Sequence, residues 1–562
     1  MPLRYWLVLM VFVLAIAIYY TYSNLVIIKR VRDSVRGYVM RKILYKGELK
    51  TSDQGLEQSG FFGLLKQSRL YWISTIITAI LCYGFTLTNY TMFVDDLAFK
   101  NYFERHSLLA AGRWGYLILM KLFNTYFFLP FWRAFIGMCL ILTGSTFLCG
   151  LYRKYSVNRF DSKAATIFTC IAISFPQIAY LFYITSATVA IGFLFILTGV
   201  SLFFACKWII EKKCFLYIIP SALLLGYAAA FYEPSMVLFL IGAFSLILVH
   251  FLYTAENGKF ISFLVMAAKV LFIAIIGVAV WKVGAVIWQY LLSVDQIYYT
   301  ENFANHDTSS VMAFIRSLAG FTNAFIRSRN FPPGDGNIIN IVIWWSTVIL
   351  VVVSVLLSIV IRKPSVFLAG TATAISAYGM YFILGSVTLL NRFTFTFSIM
   401  IAFTVALMYL LFRNCAFKRV KMKYLIIFLT FWLVFVQSRE MNQVFHLDYQ
   451  RYQRDVTVMN TIVHDLDCEP NKPLLFVGYL PDPLPHIELV GVSLFNINRP
   501  SPTMELNASI ISAFFKAHYF PINLYGGDVD LDELSNQTTE MPGWPQKGYI
   551  KELEYYVIVK LG

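Results

Sequence analysis

Two adjacent carboxylates, Asp95 and Asp96, stand just after a long uncharged apolar run that ends near Asn89. A charge beside hydrocarbon is costly, so each needs water, a partner or a chemical task. The residues leave three readings open. The pair caps a helix at the membrane surface and faces water. It acts as a general base, because a carboxylate at a low-dielectric boundary has a raised proton affinity and can take a proton from a hydroxyl. Or it helps hold a divalent cation, which adjacent aspartates suit although such sites take further oxygen ligands.

Other charged residues interrupt apolar sequence in the same way. Glu233 precedes Pro234 at the start of an apolar run. It reads as a carboxylate favoured by the helix dipole, or as a second acid sharing the cavity of the aspartates. Arg392 is the sole charge between Lys363 and Arg413. It snorkels to the interface, or its guanidinium binds phosphate with a hydrogen bond added by Asn391. Arg113, in Gly112-Arg113-Trp114-Gly115, suits a cation–aromatic anchor. Lys282 lies inside an apolar run and either snorkels or lines a polar cavity. Arg316, Arg327 and Arg329 read as loop charges, one of them facing a lipid headgroup. His106 and His306 read as polar surface residues.

The elements that position these groups are membrane helices. Of 562 residues, 58% are hydrophobic and 14% charged, with a mean hydropathy of +0.65. Soluble chains carry about a quarter charged residues, so a soluble enzyme is excluded. The net charge of +15 gathers in short loops between apolar runs, as the positive-inside rule requires, which argues against nucleic acid as a partner. The eight cysteines are scattered, with neither metal-ligand nor disulfide spacing.

Apolar runs predict about twelve transmembrane helices, near 5–28, 70–89, 129–151, 162–183, 186–206, 214–232, 235–253, 260–291, 337–361, 364–388, 393–412 and 424–437. Basic loops place both termini, and Asp95, Asp96, Glu233 and Arg392, on the external side. Three regions follow: an N-terminal helix with a basic cytoplasmic linker (1–69), a transmembrane bundle (70–437) and a polar external tail (438–562). Within the tail, 444–466 shows helical spacing. Pro473–Gly478 and Glu554–Lys560 read as strands, so the tail is expected to form a small α/β domain. The chain carries no P-loop, GxGxxG, GxSxG or HExxH motif. Any group donor is therefore expected to be lipid-borne rather than a soluble nucleotide sugar.

An acidic pair in the first external loop of the bundle resembles the polytopic C-type glycosyltransferases. More narrowly, Phe93-Val94-Asp95-Asp96-Leu97, Gly112-Arg113-Trp114 and the late Asn391-Arg392 resemble the Gtr-type O-antigen glucosyltransferases of bacterial serotype conversion. The resemblance implies a bacterial inner-membrane enzyme with a periplasmic C-terminal domain. It implies a polyprenyl-phosphate-linked glucose donor, a lipid-linked O-antigen glycan as acceptor, and contact with membrane lipid. Asp95 or Asp96 would be the base, with Glu233 as a further acid. Arg392 and Arg113 would hold phosphate, with Asn391, Lys282 and Arg316 as further substrate contacts. No cofactor is required, although a divalent cation at Asp95 and Asp96 fits. An O-antigen polymerase and a lipid-linked sugar flippase are the competing expectations.

Overall fold

The computed structural model describes residues 68–92, 96–97, 108–122, 129–182, 184, 187–254, 258–293, 312, 315, 319, 322, 338–384, 391–414, 416–417, 420–466, 472–480, 493–496, 504–520, 522–525 and 531–562. The expected first span and its basic linker lie outside the described residues.

Long apolar runs fold as helices. In order these are α1 (Arg69–Thr88), α2 (Trp114–Leu122), α3 (Pro130–Tyr155), α4 (Ser162–Ile173), α5 (Ala179–Phe182), α6 (Thr188–Ile209), α7 (Ile218–Ala229) and α8 (Ser235–Tyr253). They continue as α9 (Phe260–Leu292), α10 (Ile338–Ile361), α11 (Pro364–Ser376), α12 (Gly379–Leu384) and α13 (Phe397–Phe412). Start signals are local. Ser68 accepts from the Tyr71 amide at 3.1 Å, and Asp161 from that of Ala164 at 2.9 Å. Pro130 and Pro364 open their helices, where a missing N–H costs nothing.

Among the described residues seven helices are long and apolar enough to cross a membrane, the last of them the Met422–Asp465 helix described below, and a bent pair around Pro176 adds an eighth. Three shorter apolar helices, Phe215–Ala229, Pro364–Ser376 and Phe397–Phe412, occupy the remaining expected positions. Outward faces are apolar: Ile73, Ile76, Ile77 and Ile80 on α1, and Leu271, Phe272 and Ile275 on α9, are exposed. Water does not tolerate apolar faces of that extent, but lipid does. These features fit a polytopic helical membrane protein.

Packing inside the bundle relies on small residues and shared hydroxyls, as expected where lipid removes the hydrophobic drive between helices. A Cβ on Gly144 would lie 2.7 Å from Phe195 Cβ and 2.9 Å from its carbonyl carbon, so α3 and α6 meet nearly backbone to backbone. The Tyr71 hydroxyl bridges Thr146 at 2.7 Å and Thr169 at 3.0 Å, joining α1, α3 and α4. Ion pairs close one end of the bundle: Lys154 with Glu211 at 2.6 Å and Arg413 with Asp161 at 2.7 Å.

Two expected continuous elements differ. The span near 162–183 breaks after Ile173. Phe175 turns extended before Pro176, a 3₁₀ turn covers Pro176–Ile178, and α5 leaves at 47°. The cause is Pro176, which lacks an N–H and disfavours helical backbone in the residue before it. The opposite happens at 424–466. After a short hairpin of β1 (Ala416–Phe417) and β2 (Val420–Lys421), a single 44-residue helix, α14 (Met422–Asp465), runs through without interruption. It contains no Gly or Pro. Its buried stripe continues through Leu433, Gln437, Met441, Phe445, Asp448, Tyr452, Asp455, Met459 and Ile462. At 1.5 Å per residue it is about 66 Å long, roughly twice the hydrocarbon thickness.

Beyond α14 the chain builds a three-stranded sheet of order β3–β5–β4, with α15 (Met504–Ala517) and α16 (Leu531–Thr539). Strand β3 (Leu474–Val477) pairs in parallel with β5 (Val557–Lys560), and β4 (Ile550–Glu552) pairs antiparallel with β5. Their core gathers Tyr452, Met459, Phe495, Phe514, Phe515 and Val559, and it includes Met92 and Leu97 from the stretch after α1.

Candidate active site

The Gly112–Gly115 turn is held from two sides. Gly112 takes a left-handed φ of 75°, which glycine adopts without steric penalty. Its carbonyl accepts from Trp281 Nε1 at 2.9 Å, and Trp114 Nε1 returns a bond to the Trp281 carbonyl at 3.0 Å. About two turns further along α9, Gln289 donates to the Leu109 carbonyl at 2.9 Å. A Cβ on Gly284 would stand 2.5 Å from the Trp114 ring, and one on Gly115 3.0 Å from Ala230 Cβ. Each residue of the motif therefore docks the turn, and the turn carries Arg113.

Arg113 meets Glu233. Nε lies 3.5 Å from Glu233 Oε1, with the two side chains 19% and 9% exposed. The second carboxylate oxygen, Oε2, is buried without a hydrogen-bond partner among the described residues. Glu233 lies in the turn that leads into α8, its carbonyl accepting from the Met236 amide at 3.1 Å. Next to it, the Tyr232 ring carries the Arg113 guanidinium at 5.2 Å and stacks on Phe393 at 5.6 Å and Phe395 at 6.2 Å. The Tyr232 hydroxyl donates to the Arg392 carbonyl at 3.4 Å. The Arg392 guanidinium lies 5.8 Å from the Phe393 ring. Arg113, Glu233 and Arg392 thus converge on one aromatic stack. They sit where α8 and α13 begin, the ends opposite the Arg413–Asp161 pair. A guanidinium matches the oxygens of an oxyanion in a bidentate way, so bringing Arg113 and Arg392 to one stack suits an anion chemically.

A further polar group lies in the break of the bent span. Gln177 is fully buried, and neither its Oε1 nor its Nε2 has a hydrogen-bond partner among the described residues. Its 3₁₀ turn packs between the Asn391–Phe393 turn and α14. Leaving such a group unpaired costs about 1–3 kcal/mol.

Asp96 occupies a different setting. It is 4% exposed and lies between Met92 and Leu97 in the core shared with the tail. Arg451 of α14 donates from Nη2 to the Met92 carbonyl at 3.0 Å, from Nε to Asp448 Oδ1 at 2.9 Å and from Nη1 to Asp455 Oδ2 at 3.0 Å. Asp455 also accepts from the Ser493 hydroxyl at 2.6 Å and the Leu494 amide at 3.2 Å. Asp455 lies well past the apolar half of α14. Burial pushes its carboxyl above the usual carboxylate range, while Arg451 and the two tail donors pull it down.

Asp95 and Arg316 lie outside the described residues, as do Arg327, Arg329, His106 and His306. Asn391 opens the 3₁₀ turn that carries Arg392, its side chain outside the described set. Lys282 does not line an interior cavity: it is exposed on α9, its ammonium 4.4 Å from the Trp281 ring. An outward position lets the ammonium snorkel toward water. Among the described residues no group of three or more His, Cys, Asp or Glu gathers as metal ligands. Sequence reasoning passed over Gln177 and Arg451. Pro176 inside an apolar run signalled the first, and the acid–base–acid spacing Asp448, Arg451, Asp455 the second.

A family model described as glucosyl transferase GtrII matches residues 84–430, more than half of the chain. No curated protein and no solved structure matches. The matched region contains Asp95, Asp96, Arg113, Gln177, Glu233 and Arg392, whereas Arg451 and the sheet lie beyond it.

Proposed function

The chain belongs to the glucosyl transferase GtrII family, and from that membership we propose that it moves a glucosyl residue from a polyprenyl-phosphate donor to a lipid-linked O-antigen glycan. The reaction takes place on the periplasmic face of a bacterial inner membrane. Family membership supports glycosyl transfer over glycan polymerisation or lipid-sugar translocation. The observation that carries the donor class is the convergence of Arg113 and Arg392 on the Tyr232 stack beside buried Glu233. Guanidinium groups match phosphate oxygens in a bidentate way, and the chain has no nucleotide motif.

In the reaction, an acceptor hydroxyl oxygen attacks the anomeric carbon of the donor. Its proton passes to Asp95 or Asp96. The bond from the anomeric carbon to the phosphate oxygen breaks, and polyprenyl phosphate leaves with the electron pair. Arg392, with Arg113, stabilises the charge gathering on that phosphate, and stabilising developing charge is commonly the largest catalytic term. Glu233 holds Arg113 through Oε1 and offers Oε2 to a sugar hydroxyl.

The test is glucosyl transfer from undecaprenyl phosphate-glucose by D95N, D96N and the double variant in membranes. Loss of transfer of roughly 10²-fold or more in one single variant and in the double is expected, a typical range for removal of a general base. Full activity in all three, at normal expression, overturns the base assignment. Transfer is expected to persist in EDTA. Loss that Mg²⁺ restores would assign the pair to a cation instead.

A further inference from the structure

The Met92 carbonyl belongs to a non-helical stretch, and Arg451 is its hydrogen-bond donor. A buried backbone carbonyl outside regular structure needs such a donor. Arg451 is 1% exposed at its side chain, as are Asp448 and Asp455. Burying three charges is expensive, and well-packed apolar residues would hold two elements together at least as well. An apolar side chain, however, cannot fix the position of a peptide carbonyl. What the charged trio adds is a geometric constraint on the chain at Met92.

The same trio reaches the tail. Asp455 takes bonds from Ser493 and Leu494, so one network links α14, the tail and the stretch after α1. Apolar contacts repeat the link on either side of the acidic pair, because Met92 and Leu97 both sit in the tail core. Tyr90 adds a ring contact with Tyr452 at 5.8 Å. Asp96 is therefore flanked in the sequence by residues fastened to α14 and the tail, Met92 before it and Leu97 after it. The fastening unit, from Arg451 onward, lies outside the region matched by the family model.

We infer that Arg451 is a positioning residue for the acidic stretch, and that the C-terminal tail serves as the brace that holds this stretch at the reacting hydroxyl. The inference rests on the reading of Asp95 or Asp96 as the base. A displacement of about 1 Å in a catalytic group can cost on the order of 10² in rate. One guanidinium bond reaches the Met92 carbonyl, and the bonds to Asp448 and Asp455 hold that guanidinium in place, which restricts such displacement. Lysine keeps the charge but lacks the planar fork needed to reach three acceptors.

The experiment compares full-length R451Q, R451K and S493A with the parent, assayed with undecaprenyl phosphate-glucose. Each is also made in an L97C background, where maleimide labelling reports release of the stretch from the tail core. The expected result is a kcat at least tenfold lower for R451Q with donor KM within about twofold, partial recovery in R451K, and faster labelling in R451Q than in the parent background. S493A, which leaves Arg451 in place, should fall between parent and R451Q in both readouts. If R451Q does not extract as a monodisperse protein, R451K and S493A carry the same comparison. Unchanged labelling, or a kcat within twofold of the parent in every variant, overturns the inference. Faster labelling together with full activity of D95N and D96N would leave the brace standing and reject the base assignment.

Discussion

Arg113 and Glu233 face each other at 3.5 Å across two elements, a turn docked on α9 and the turn leading into α8. The carboxylate uses one oxygen for the arginine and keeps the other buried without a hydrogen-bond partner among the described residues. A carboxylate that served only to neutralise Arg113 would have no reason to keep that oxygen directed away from water.

E233Q is expected to lower glucosyl transfer by roughly 10²-fold, within the range for loss of a catalytic hydrogen-bonding group. R113M leaves a buried carboxylate unpaired and should destabilise the protein by about 3–5 kcal/mol. The double variant R113M/E233Q should recover stability but not activity. Thermal unfolding in detergent beside a transfer assay separates the two effects. Recovered transfer in the double variant would reduce the pair to a structural role.

Q177L removes an amide that has no hydrogen-bond partner among the described residues and keeps a similar volume. If the amide binds a sugar hydroxyl, transfer falls about tenfold while thermal stability holds or rises, because the unpaired group no longer costs about 1–3 kcal/mol. A parallel fall of stability and activity would mean that Gln177 serves packing alone.

D455N tests the buried trio by pH. The folded state raises the Asp455 carboxyl above its unfolded value through burial. Its contribution is therefore fully present below the unfolded value and is lost as pH rises through the folded one. Asparagine mimics the protonated form at every pH. Relative to the parent, D455N should gain thermal stability on going from about pH 4 to pH 8, near and above the unfolded carboxyl value. A difference that does not vary with pH would contradict the raised value.

G144A should destabilise the bundle by about 1–3 kcal/mol, because the added methyl meets the backbone of α6 rather than a movable side chain. G84A is the control, since its Cβ would find only Ile80 Cγ2 at 3.8 Å. Detergent melting curves should show G84A at or above the parent. Equal melting of the two variants would mean that α3 and α6 separate without penalty.

Helix positions were legible because apolar runs and basic loops are strong one-dimensional signals, and Glu233 and Arg392 stood out as charges in apolar sequence. Gly112-Arg113-Trp114-Gly115 was legible as a pattern but not as a mechanism. Its meaning lies in the complementary face of α9, where Trp281, Gly284 and Gln289 wait far along the chain. Of the two readings of Lys282, its exposed position on α9 fits the snorkelling one, a distinction the one-dimensional pattern did not carry. Gln177 carried no charge to draw notice. Arg451 looked like one more polar residue of the tail, because its decisive contact is with Met92, a residue remote in sequence.

The unbroken α14 turns residue count into distance. One residue inserted between Gln437 and Arg451 would rotate all that follows by about 100° and raise it by about 1.5 Å. The guanidinium would then point away from the Met92 carbonyl. Seven residues would nearly restore the angle but raise the trio by about 10 Å. The helix therefore works as a ruler, and the distance from its apolar half to the Met92 carbonyl is written in the number of residues along it.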